Sequence, residues 1–322
     1  MRTIVNILTC VAVFSLSFGW GIGICRLSPG NDRYTAQISH VQALSSSQTE
    51  DNDSESGLVL RSDAPSLVID GRSAFSVYLD PSGKQTILFA KEKDKAFPIA
   101  SLTKLMTAAV VLEKLDLAQT IEFSQTALVP NPEKTDFKAG EKFFSRDLLV
   151  PLLVESNNDS ANALAEANGY NWFIDYMNFK GLEIGLKNTF FVNPSGLDTL
   201  TAEVNYSTAQ DVADLTAYLL DKPGVWNIIS LPAADIYSAN GVFHHRVIST
   251  NEFLTIRNPE WKTRMIGAKT GWTDDARGCL VLVLQPANRE GYVISVILGA
   301  NDRFGEMEKM INWIEQNYSW PR

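Results

Sequence analysis

The sequence contains few cysteines and few histidines, and this scarcity excludes several kinds of site. Three cysteines cannot form a disulfide framework, because Cys10 and Cys25 fall in an apolar N-terminal run and Cys279 stands alone. The histidines are His40, His244 and His245. Adjacent residues of a strand point to opposite faces, so His244 and His245 are not expected to bind one metal ion. The sequence therefore predicts no metal site, no cofactor and no histidine-based triad.

Positive charge is scarce as well. The chain has 28 Lys and Arg residues against 37 Asp and Glu residues, which gives a formal net charge of −9 at pH 7. Nucleic acids are polyanions that bind basic surfaces, so this charge balance argues against nucleic acid as a partner. With 322 residues, 45% of them hydrophobic, the chain is long enough for one large domain or two small ones.

One long apolar run stands at the N-terminus. Residues 4–25 carry no charged side chain, follow Arg2 and are numerous enough to cross a bilayer as a helix. We expect residues 1–27 to form a membrane anchor; a cleaved signal peptide is the second interpretation, and both export the rest of the chain. Residues 28–57 are rich in Ser, Asp, Glu, Asn and Gln, which is typical of a disordered linker. Residues 58–322 are expected to form the folded domain.

Patterns in the folded part predict both strands and helices. Turn residues at 80–84 separate two alternating stretches and predict a β-hairpin, and Asn-Gly at 240–241 predicts a second hairpin between residues 233 and 256. Further core strands are predicted at 264–268, 279–284 and 292–298. Helices are predicted at 98–115, at 146–154 with an interruption near Pro151, at 159–180, at 207–220 with Ser207 as N-cap, and at 306–317. This order predicts an α+β fold with a mainly antiparallel sheet.

The first catalytic candidate is the segment 98–108 (PIASLTKLMTA). Pro98 suits a helix start, which places Ser101 in the first turn and Lys104 three residues later on the same face. Apolar residues surround this helix on nearly all sides, so we expect it to be buried. A buried lysine needs a partner or a lowered pKa, and either suits a base for a serine nucleophile. Taken alone, however, Ser-x-x-Lys is more often an ordinary pair on a helix surface.

Two further motifs supply candidates for binding and proton transfer. In the segment 155–159 (ESNND), Ser156 can relay a proton and Asn158 can hold a substrate amide, while the alternative interpretation is a helix N-cap. The segment 269–271 (KTG) ends an apolar run and offers a cation, a hydroxyl and room for a ligand backbone. Its alternative interpretation is a strand end with a solvated lysine.

The three motifs, in this chain order, resemble the motif set of the penicillin-binding serine enzymes. Longer stretches agree as well: 98–108 (PIASLTKLMTA), 155–161 (ESNNDSA), 192–197 (VNPSGL), 207–211 (STAQD) and 269–280 (KTGWTDDARGCL). Over about residues 66–320 the chain is similar to low-molecular-mass D-alanyl-D-alanine carboxypeptidases, peptidase family S11. The resemblance implies a β-lactamase/transpeptidase-like α+β fold, in which a five-stranded antiparallel sheet is flanked by helices and a helical subdomain. The site would lie in the cleft between them.

The resemblance also implies a reaction. Ser101 would attack the carbonyl between two D-alanines of a peptidoglycan stem peptide and form an acyl-enzyme, while Lys104 takes its proton. Ser156 would relay a proton to the leaving amine. Asn158 would bind the substrate backbone and orient Lys104. Water would then release the shortened peptide.

The remaining implied roles concern substrate binding. Lys269 and Thr270 would receive the terminal carboxylate, with Gly271 beside them. The backbone N–H groups of Ser101 and Trp272 would form an oxyanion hole. The implied partners are stem peptides ending in D-Ala-D-Ala and β-lactams as covalent inhibitors. The implied location is the bacterial cell envelope, outside the cytoplasm, with the domain anchored in the cytoplasmic membrane by residues 4–25.

Two positions depart from the family pattern. The middle residue of Ser-x-Asn is usually glycine in the family and is Asn157 here. Many carboxypeptidases carry Arg-Asn where this chain has Thr250-Asn251, and the arginine helps to hold the carboxylate. Arg246 and Arg277 are the candidates to replace it. A preference for carboxypeptidase activity is therefore less secure than DD-peptidase chemistry, and a DD-endopeptidase that cleaves peptidoglycan cross-links is the alternative.

Two other classes of protein share parts of this pattern. A class A β-lactamase needs a Glu-x-x-Leu-Asn loop, and the segment 183–187 (EIGLK) lacks the Asn. A catalytically inactive relative that only binds the cell wall would not need three complete motifs. Both classes are therefore disfavoured by the sequence.

Overall fold

The computed structural model describes residues 58–129, 137–198, 203–287 and 289–320. The predicted membrane anchor and linker, at 1–27 and 28–57, lie outside these residues. Among the described helices, none combines the length and the apolar character that a membrane crossing requires.

Strands and helices alternate in blocks along the described chain. The strands are β1 (Val59–Leu60), β2 (Ser73–Leu79), β3 (Gln85–Lys91), β4 (Phe97–Pro98), β5 (Thr120–Glu122), β6 (Lys142–Phe144), β7 (Tyr206–Ser207), β8 (Ala233–Tyr237), β9 (Phe243–Ile248), β10 (Met265–Thr273), β11 (Arg277–Leu284), β12 (Tyr292–Ala300) and β13 (Tyr318–Ser319). The helices are α1 (Lys104–Lys114), α2 (Ser145–Leu153), α3 (Asn158–Glu166), α4 (Tyr170–Glu183), α5 (Ala209–Leu220), α6 (Pro223–Ile229), α7 (Glu252–Thr255) and α8 (Arg303–Asn317). Short 3₁₀ helices span Ala100–Thr103 and Glu260–Arg264.

The main sheet is antiparallel and has five strands, in the order β10-β11-β12-β2-β3. Side chains alternate across β11: Val281 and Val283 belong to the core beneath the helical block, whereas Leu280 and Leu282 pack with Ile311 of α8 on the other face. Because both faces are covered, the central strands are apolar almost throughout. The predicted α+β fold with a five-stranded antiparallel sheet flanked by helices is confirmed.

The edge strand β10 and the start of α1 meet at one place. The 3₁₀ helix Ala100–Thr103 packs against β10, and a Cβ added at Gly271 would lie only 3.0 Å from both Ile99 O and Ser101 N. A side chain here would therefore push the Ser101 backbone away from the strand. This contact explains why glycine follows Lys269 and Thr270, and it brings two distant motifs together.

The prediction that a helix begins at Pro98 is wrong. Pro98 lies in β4, opposite Tyr206 of β7, and α1 begins only at Lys104. Between them Ala100 has φ +46°, and Ser101 lies in the 3₁₀ turn. The pairing with β7 holds Pro98 extended, because the Ile99 N–H donates to Asn205 O at 3.2 Å. As predicted, α1 is buried, from Lys104 through Val111.

Other local expectations also needed correction. Pro151 does not interrupt α2, because it lies in the last turn and the helix ends two residues later. The N-cap of α5 is Thr208, whose side chain accepts from Asp211 N, while Ser207 is in β7 and its hydroxyl contacts Thr189. Phe190 forms an isolated bridge with Tyr206, next to the pairing of β7 with β4.

The expectation that His244 and His245 point to opposite faces is wrong. In the β8–β9 hairpin Ile236 pairs with His245, but Tyr237 pairs with Phe243, so His244 is an extra residue in β9. This bulge breaks the strict alternation of the strand. The two Nδ1 atoms consequently lie 2.6 Å apart.

Candidate active site

Lys104 and Ser101 are direct neighbours at the start of α1. The Lys104 side chain is completely buried, and its Nζ lies 2.8 Å from Ser101 Oγ, 2.8 Å from Asn158 Oδ1 and 2.6 Å from the Ser195 carbonyl oxygen. An amide oxygen and a carbonyl oxygen can only accept hydrogen bonds, whereas a hydroxyl can also donate one. A neutral amine has two N–H donors for the two acceptors and one lone pair for the hydroxyl proton.

The electrostatic environment favours that neutral amine. Burial lowers the pKa of Lys104 well below its usual value, and the positive charge of nearby Lys269 lowers it further. Removing a cation from water is costly, and a second cation adds repulsion. The arrangement therefore places a base against the hydroxyl of Ser101, as the sequence predicted for this pair.

The loop between α2 and α3 carries Ser156, and the first residue of α3 is Asn158; both side chains reach the same place. Asn157 is the N-cap of α3, because its Oδ1 accepts from Ser160 N at 2.8 Å. Ser156, just before the cap, has φ +66°, which is rare for a residue with a side chain. The N-cap interpretation of this segment is thus correct for Asn157, while the flanking side chains of Ser156 and Asn158 reach Lys269 and Lys104.

Lys269 is the second buried amine of the site. Its Nζ donates to Ser156 Oγ at 2.8 Å and to the Thr270 carbonyl at 2.9 Å. Burial, and to a lesser degree the charge of Arg303, lowers the pKa of Lys269 to about 7. The alternative interpretation of a solvated lysine is excluded, because only 1% of this residue is exposed. Strand β10 also continues through the motif to Thr273 and does not end before it.

A supporting loop at 193–196 was not predicted as functional from the residues themselves. Asn193 Oδ1 accepts from the backbone N–H of Ser195 and of Gly196, and Asn205 Nδ2 donates to Thr103 Oγ1 at 2.8 Å. These bonds hold the Ser195 carbonyl against Lys104. The signal in the sequence was VNPSGL, a stretch that contributed to the resemblance but had no assigned role.

The predicted residues meet in one cleft of about 640 Å³. Its lining residues include Ser101, Ser156, Asn158, Thr270, Gly271 and Trp272, with Leu197, Thr250, Asp274 and Arg303 around them. Lys104 and Lys269 lie buried behind this lining and contact its serines. All eight candidate site residues are therefore close together, and the side chain of Trp272 is exposed at the rim.

The cation beside the cleft is Arg303, not Arg246 or Arg277. Arg246 is exposed and pairs with Asp235, and Arg277 points to Asn301, so neither lines the cleft. Arg303 Nη1 donates to the Gly271 carbonyl at 3.2 Å, and its buried Nε has no hydrogen-bond partner among the described residues. Arg303 also lines the cleft, so its guanidinium can pair with an anion bound there.

Thr250 is the position at which the resemblance led us to expect arginine. Its Oγ1 lies 2.5 Å from Thr270 Oγ1, so one of the two hydroxyls donates to the other. The Thr250 N–H also donates to the Val154 carbonyl at 3.1 Å, which ties this segment to the end of α2. The two threonines therefore present a neutral hydroxyl pair to the cleft.

Comparison with known sequences identifies similar proteins. Residues 65–302 match the family described as D-alanyl-D-alanine carboxypeptidase, peptidase family S11. The carboxypeptidase DacF of Bacillus subtilis is 28% identical over 262 residues, which cover 78% of this chain and 64% of that protein. The aligned region thus spans less than two thirds of the Bacillus protein. A D-alanyl-D-alanine endopeptidase of Pseudomonas aeruginosa is 30% identical over 236 residues, covering 71% of this chain and 73% of that protein.

Solved structures show the same architecture. A D-alanyl-D-alanine carboxypeptidase from Mycobacterium tuberculosis superposes with a TM-score of 0.68 and 25% identity, covering 79% of this chain and 95% of that one. Penicillin-binding protein D2 of Listeria monocytogenes, in its cefotaxime-bound form, gives a TM-score of 0.64 and 28% identity. That alignment covers 78% of this chain and 99% of the Listeria chain.

Proposed function

Because the chain belongs to the D-alanyl-D-alanine carboxypeptidase family, peptidase family S11, we propose that it is a serine-type D-Ala-D-Ala carboxypeptidase. It removes the terminal D-alanine from peptidoglycan stem peptides through an acyl-enzyme on Ser101. The observation that carries this proposal is the buried Lys104 amine, 2.8 Å from Ser101 Oγ and with a lowered pKa. A hydroxyl beside such a base can attack an acyl carbonyl.

Acylation begins at these two side chains. Ser101 Oγ forms a bond to the carbonyl carbon between the two D-alanines while its proton passes to the Lys104 Nζ. The bond from that carbon to the D-alanine nitrogen then breaks, and the proton reaches the leaving nitrogen through the Ser156 hydroxyl. The Lys269 Nζ, which donates to Ser156, orients this relay. In the second half of the reaction water attacks the ester carbon and gives a proton to the neutral Lys104 Nζ. The bond from that carbon to Ser101 Oγ then breaks, Oγ takes the proton from Lys104, and the shortened peptide leaves.

Two further groups stabilise and orient the substrate in this proposal. The backbone N–H groups of Ser101 and Trp272 form the oxyanion hole; the close approach of Gly271 to Ser101 N supports this assignment. Asn158, already bound to Lys104 through Oδ1, keeps its amide nitrogen for the substrate backbone.

The terminal carboxylate is held by Thr270 together with Lys269 and Arg303. Arg303 takes the place of the arginine that relatives carry at position 250, from a different element, the first residue of α8. Its position in the lining of the cleft supports this role, because a carboxylate is the acceptor that an arginine donor binds best. The sequence candidates Arg246 and Arg277 are replaced by Arg303 in this proposal.

A DD-endopeptidase is the second candidate. The neutral hydroxyl pair of Thr250 and Thr270 favours it, because a leaving group that is not a C-terminal residue needs no arginine at position 250 to bind a terminal carboxylate. A relative 30% identical to this chain is named an endopeptidase. The two activities use the same Ser101 chemistry and differ only in the group on the leaving side of the scissile bond.

The family acts on the cell wall, so the place of action is the cell envelope. We propose that residues 4–25 anchor the domain in the cytoplasmic membrane and that β-lactams acylate Ser101. Cleavage of stem peptides would contribute to cell wall biogenesis and cell shape. The cefotaxime-bound structure of the Listeria relative supports the expectation for β-lactams.

The test uses the detergent-solubilised full-length chain and its Ser101→Ala variant. Each is incubated with a fluorescent penicillin, with a pentapeptide ending in D-Ala-D-Ala and with cross-linked muropeptides. Penicillin labelling and D-alanine release by the wild type, both absent in Ser101→Ala, are the expected results. Cleavage of cross-links without D-alanine release selects the endopeptidase. If Ser101 is not labelled and neither substrate is cleaved, the proposed function is wrong.

A further inference from the structure

The lining of the cleft carries charges of both signs at different points along β10. Arg303 is fixed at the Gly271 carbonyl, to which its Nη1 donates at 3.2 Å. Asp274 follows three residues later, directly after the end of β10, which corresponds to about 10 Å at the usual rise of a strand. Asp198 also lines the cleft. A substrate that matches these charges has an anionic group near Gly271 and a cation further along the strand.

Asp198 and Asp274 belong to two segments that are in contact. The Asp275 N–H donates to Asp198 Oδ2 at 3.3 Å, so the loop after residue 196 touches the turn after β10. Arg72 is the cation that contacts this turn, and it donates to the Asp275 carbonyl at 2.8 Å. Neither Asp198 nor Asp274 forms an ion pair with another residue in the described part of the chain. A cation of the substrate would therefore have no competitor at these two carboxylates.

Each of the two carboxylates lies near an apolar side chain of the same cleft. Leu197 directly precedes Asp198, and Trp272 lies two residues before Asp274. Leu197 is 38% exposed and Trp272 is 61% exposed, so both offer apolar surface to a ligand. A chain of methylene groups that ends in an ammonium can bury its methylenes on this surface while its charge reaches a carboxylate. The face of the Trp272 ring attracts such a cation as well.

The proposed reaction determines which part of the substrate reaches this surface. The terminal carboxylate binds at Thr270, and the scissile carbonyl binds at the N–H groups of Ser101 and Trp272. The acyl side of the peptide therefore continues along β10, away from Thr270. Because β10 is the edge strand of the described sheet, a peptide can lie along its outer side. Two residues of extended peptide cover about 7 Å, so the third residue from the C-terminus lies beside Trp272 and Leu197.

We propose that Asp198 and Asp274, with the apolar surface beside them, select stem peptides whose third residue is a diamino acid with a free side-chain amine. An amine that has been acylated carries no charge for the two carboxylates to bind, so such a stem is a poorer substrate. The inference rests on the proposed function, because it concerns the specificity of the same cleft. It applies equally to a carboxypeptidase and to an endopeptidase, since the same side of the peptide acylates Ser101 in both.

The experiment uses the detergent-solubilised full-length chain and two pentapeptides ending in D-Ala-D-Ala. They differ only at the third residue, which is L-lysine in one and Nε-acetyl-L-lysine in the other. The ratio of the two kcat/KM values for D-alanine release isolates the effect of the free amine. We expect the lysine peptide to be preferred about fivefold at low salt, the upper range for a partly exposed ion pair. If the wild type cleaves only cross-links, the two residues are compared in the acyl-donor stem of a cross-linked dimer.

The variants remove the two charges with little change of shape. Asp198→Asn keeps an oxygen that can accept from the Asp275 N–H. Asp274→Asn changes an exposed residue. In the double variant the ratio should fall to about one, and in Asp274→Lys the acetylated peptide should become the better substrate. Asp275→Asn is the matched control, because it removes the same charge from the same turn but from a residue outside the lining of the cleft. It should keep the wild-type ratio.

Three results would decide against these proposals. Equal kcat/KM values for the two peptides in the wild type would overturn the inference, and so would a preference that persists in the folded double variant; both leave the proposed function intact. Circular dichroism shows whether each variant is folded, and if the double variant is not, Asp274→Asn alone should lower the ratio by about half. A wild type that penicillin does not label and that cleaves no peptide would instead refute the proposed function.

Discussion

The Lys104 Nζ lies 2.8 Å from Ser101 Oγ, and its two other partners, Asn158 Oδ1 and the Ser195 carbonyl, can only accept hydrogen bonds. Burial and Lys269 lower the pKa of this lysine. The number of donors and acceptors therefore agrees with the electrostatics: both favour a neutral amine with its lone pair toward the serine. The burial that lowers the pKa of Lys104 and makes it a base also destabilises the folded protein.

The first prediction concerns Lys104→Met. Without the amine, acylation by penicillin and D-alanine release should fall by about 10²–10⁴-fold, the usual contribution of a general base. The free energy of unfolding should change little, because removal of a buried amine is offset by the Asn158 Oδ1 and the Ser195 carbonyl, which lose their donor. Stopped-flow acylation and urea unfolding measure the two effects. Loss of activity together with a large loss of stability would contradict this account of Lys104.

The second prediction uses the pKa of Lys269, which burial and Arg303 lower from 10.5 to about 7. Between these two values the unfolded chain binds a proton that the folded chain does not, so stability rises with pH by up to about 1.4 kcal/mol per unit. Below about pH 7 both states are protonated and the slope vanishes. The free energy of unfolding should therefore rise less between about pH 7 and 10 in Lys269→Met than in the wild type.

Urea unfolding at several pH values checks this difference. The comparison with the variant is necessary because other lysines and tyrosines titrate in the same range. Curves for wild type and Lys269→Met that run parallel across the range would show that Lys269 is charged in the folded protein.

Much of the site could be predicted because its residues occur in short, continuous motifs. The apolar surroundings of Lys104 in the sequence indicated burial, and burial implied a lowered pKa. The 3₁₀ turn at Ser101 could not be predicted, because it depends on the pairing of Pro98 with Tyr206, over a hundred residues away. Local propensity favoured a helix there, and the tertiary pairing overrode it.

The third prediction is that Arg303→Ala weakens binding of a free carboxylate. A hydrogen bond to a charged group contributes about 1.5–3 kcal/mol, so kcat/KM for a pentapeptide ending in D-Ala-D-Ala should fall about 10–100-fold. The same peptide with a C-terminal amide should be affected less. Steady-state D-alanine release measures both, and Arg246→Ala and Arg277→Ala are matched controls that should leave the rate unchanged. If Arg277→Ala lowers the rate of D-alanine release and Arg303→Ala does not, Arg277 binds the carboxylate, as the sequence suggested.

The fourth prediction concerns Asn157, where the resemblance led us to expect glycine. Its Oδ1 caps α3, so Asn157→Ala should lower the free energy of unfolding by about 1 kcal/mol, whereas Asn157→Gly should cost only a few tenths. Both variants keep Ser156 and Asn158. Urea unfolding measures the free energy of unfolding of both variants. Equal decreases in Asn157→Ala and Asn157→Gly would contradict the proposed contribution of the N-cap.

Arg303 in the cleft and the contact between His244 and His245 in β9 show why some features escaped prediction. Arg303 is 34 positions beyond Lys269 and reaches the cleft only because α8 begins at the end of β12, beside β10 and β11. His244 and His245 meet only because a bulge adds one residue to β9. Neither feature has a local signal: the first depends on strand order, and the second on a register shift that leaves the period-two pattern of the sequence unchanged.

The last prediction compares two glycines that both have left-handed backbone conformations. A Cβ at Gly196, with φ +76°, would lie 1.9 Å from Ala100 O and 2.8 Å from Thr103 Oγ1, whereas at Gly185, with φ +84°, it would meet nothing within 4 Å. Gly185→Ala should therefore cost only the backbone strain, about 1–2 kcal/mol. Gly196→Ala adds overpacking against the turn that carries Ser101 and should cost about 2–5 kcal/mol in total.

The two variants should also differ in activity. Because Ala100 precedes Ser101, displacement of its carbonyl moves the nucleophile away from Lys104, so Gly196→Ala should lose acylation even where it remains folded. Gly185→Ala should keep the wild-type rate, since it is remote from the cleft. Acylation by penicillin is measured at a urea concentration at which both variants are folded, so that a loss of activity is distinguished from a loss of stability. An active Gly196→Ala would show that the 3₁₀ turn can shift without moving Ser101 relative to its base.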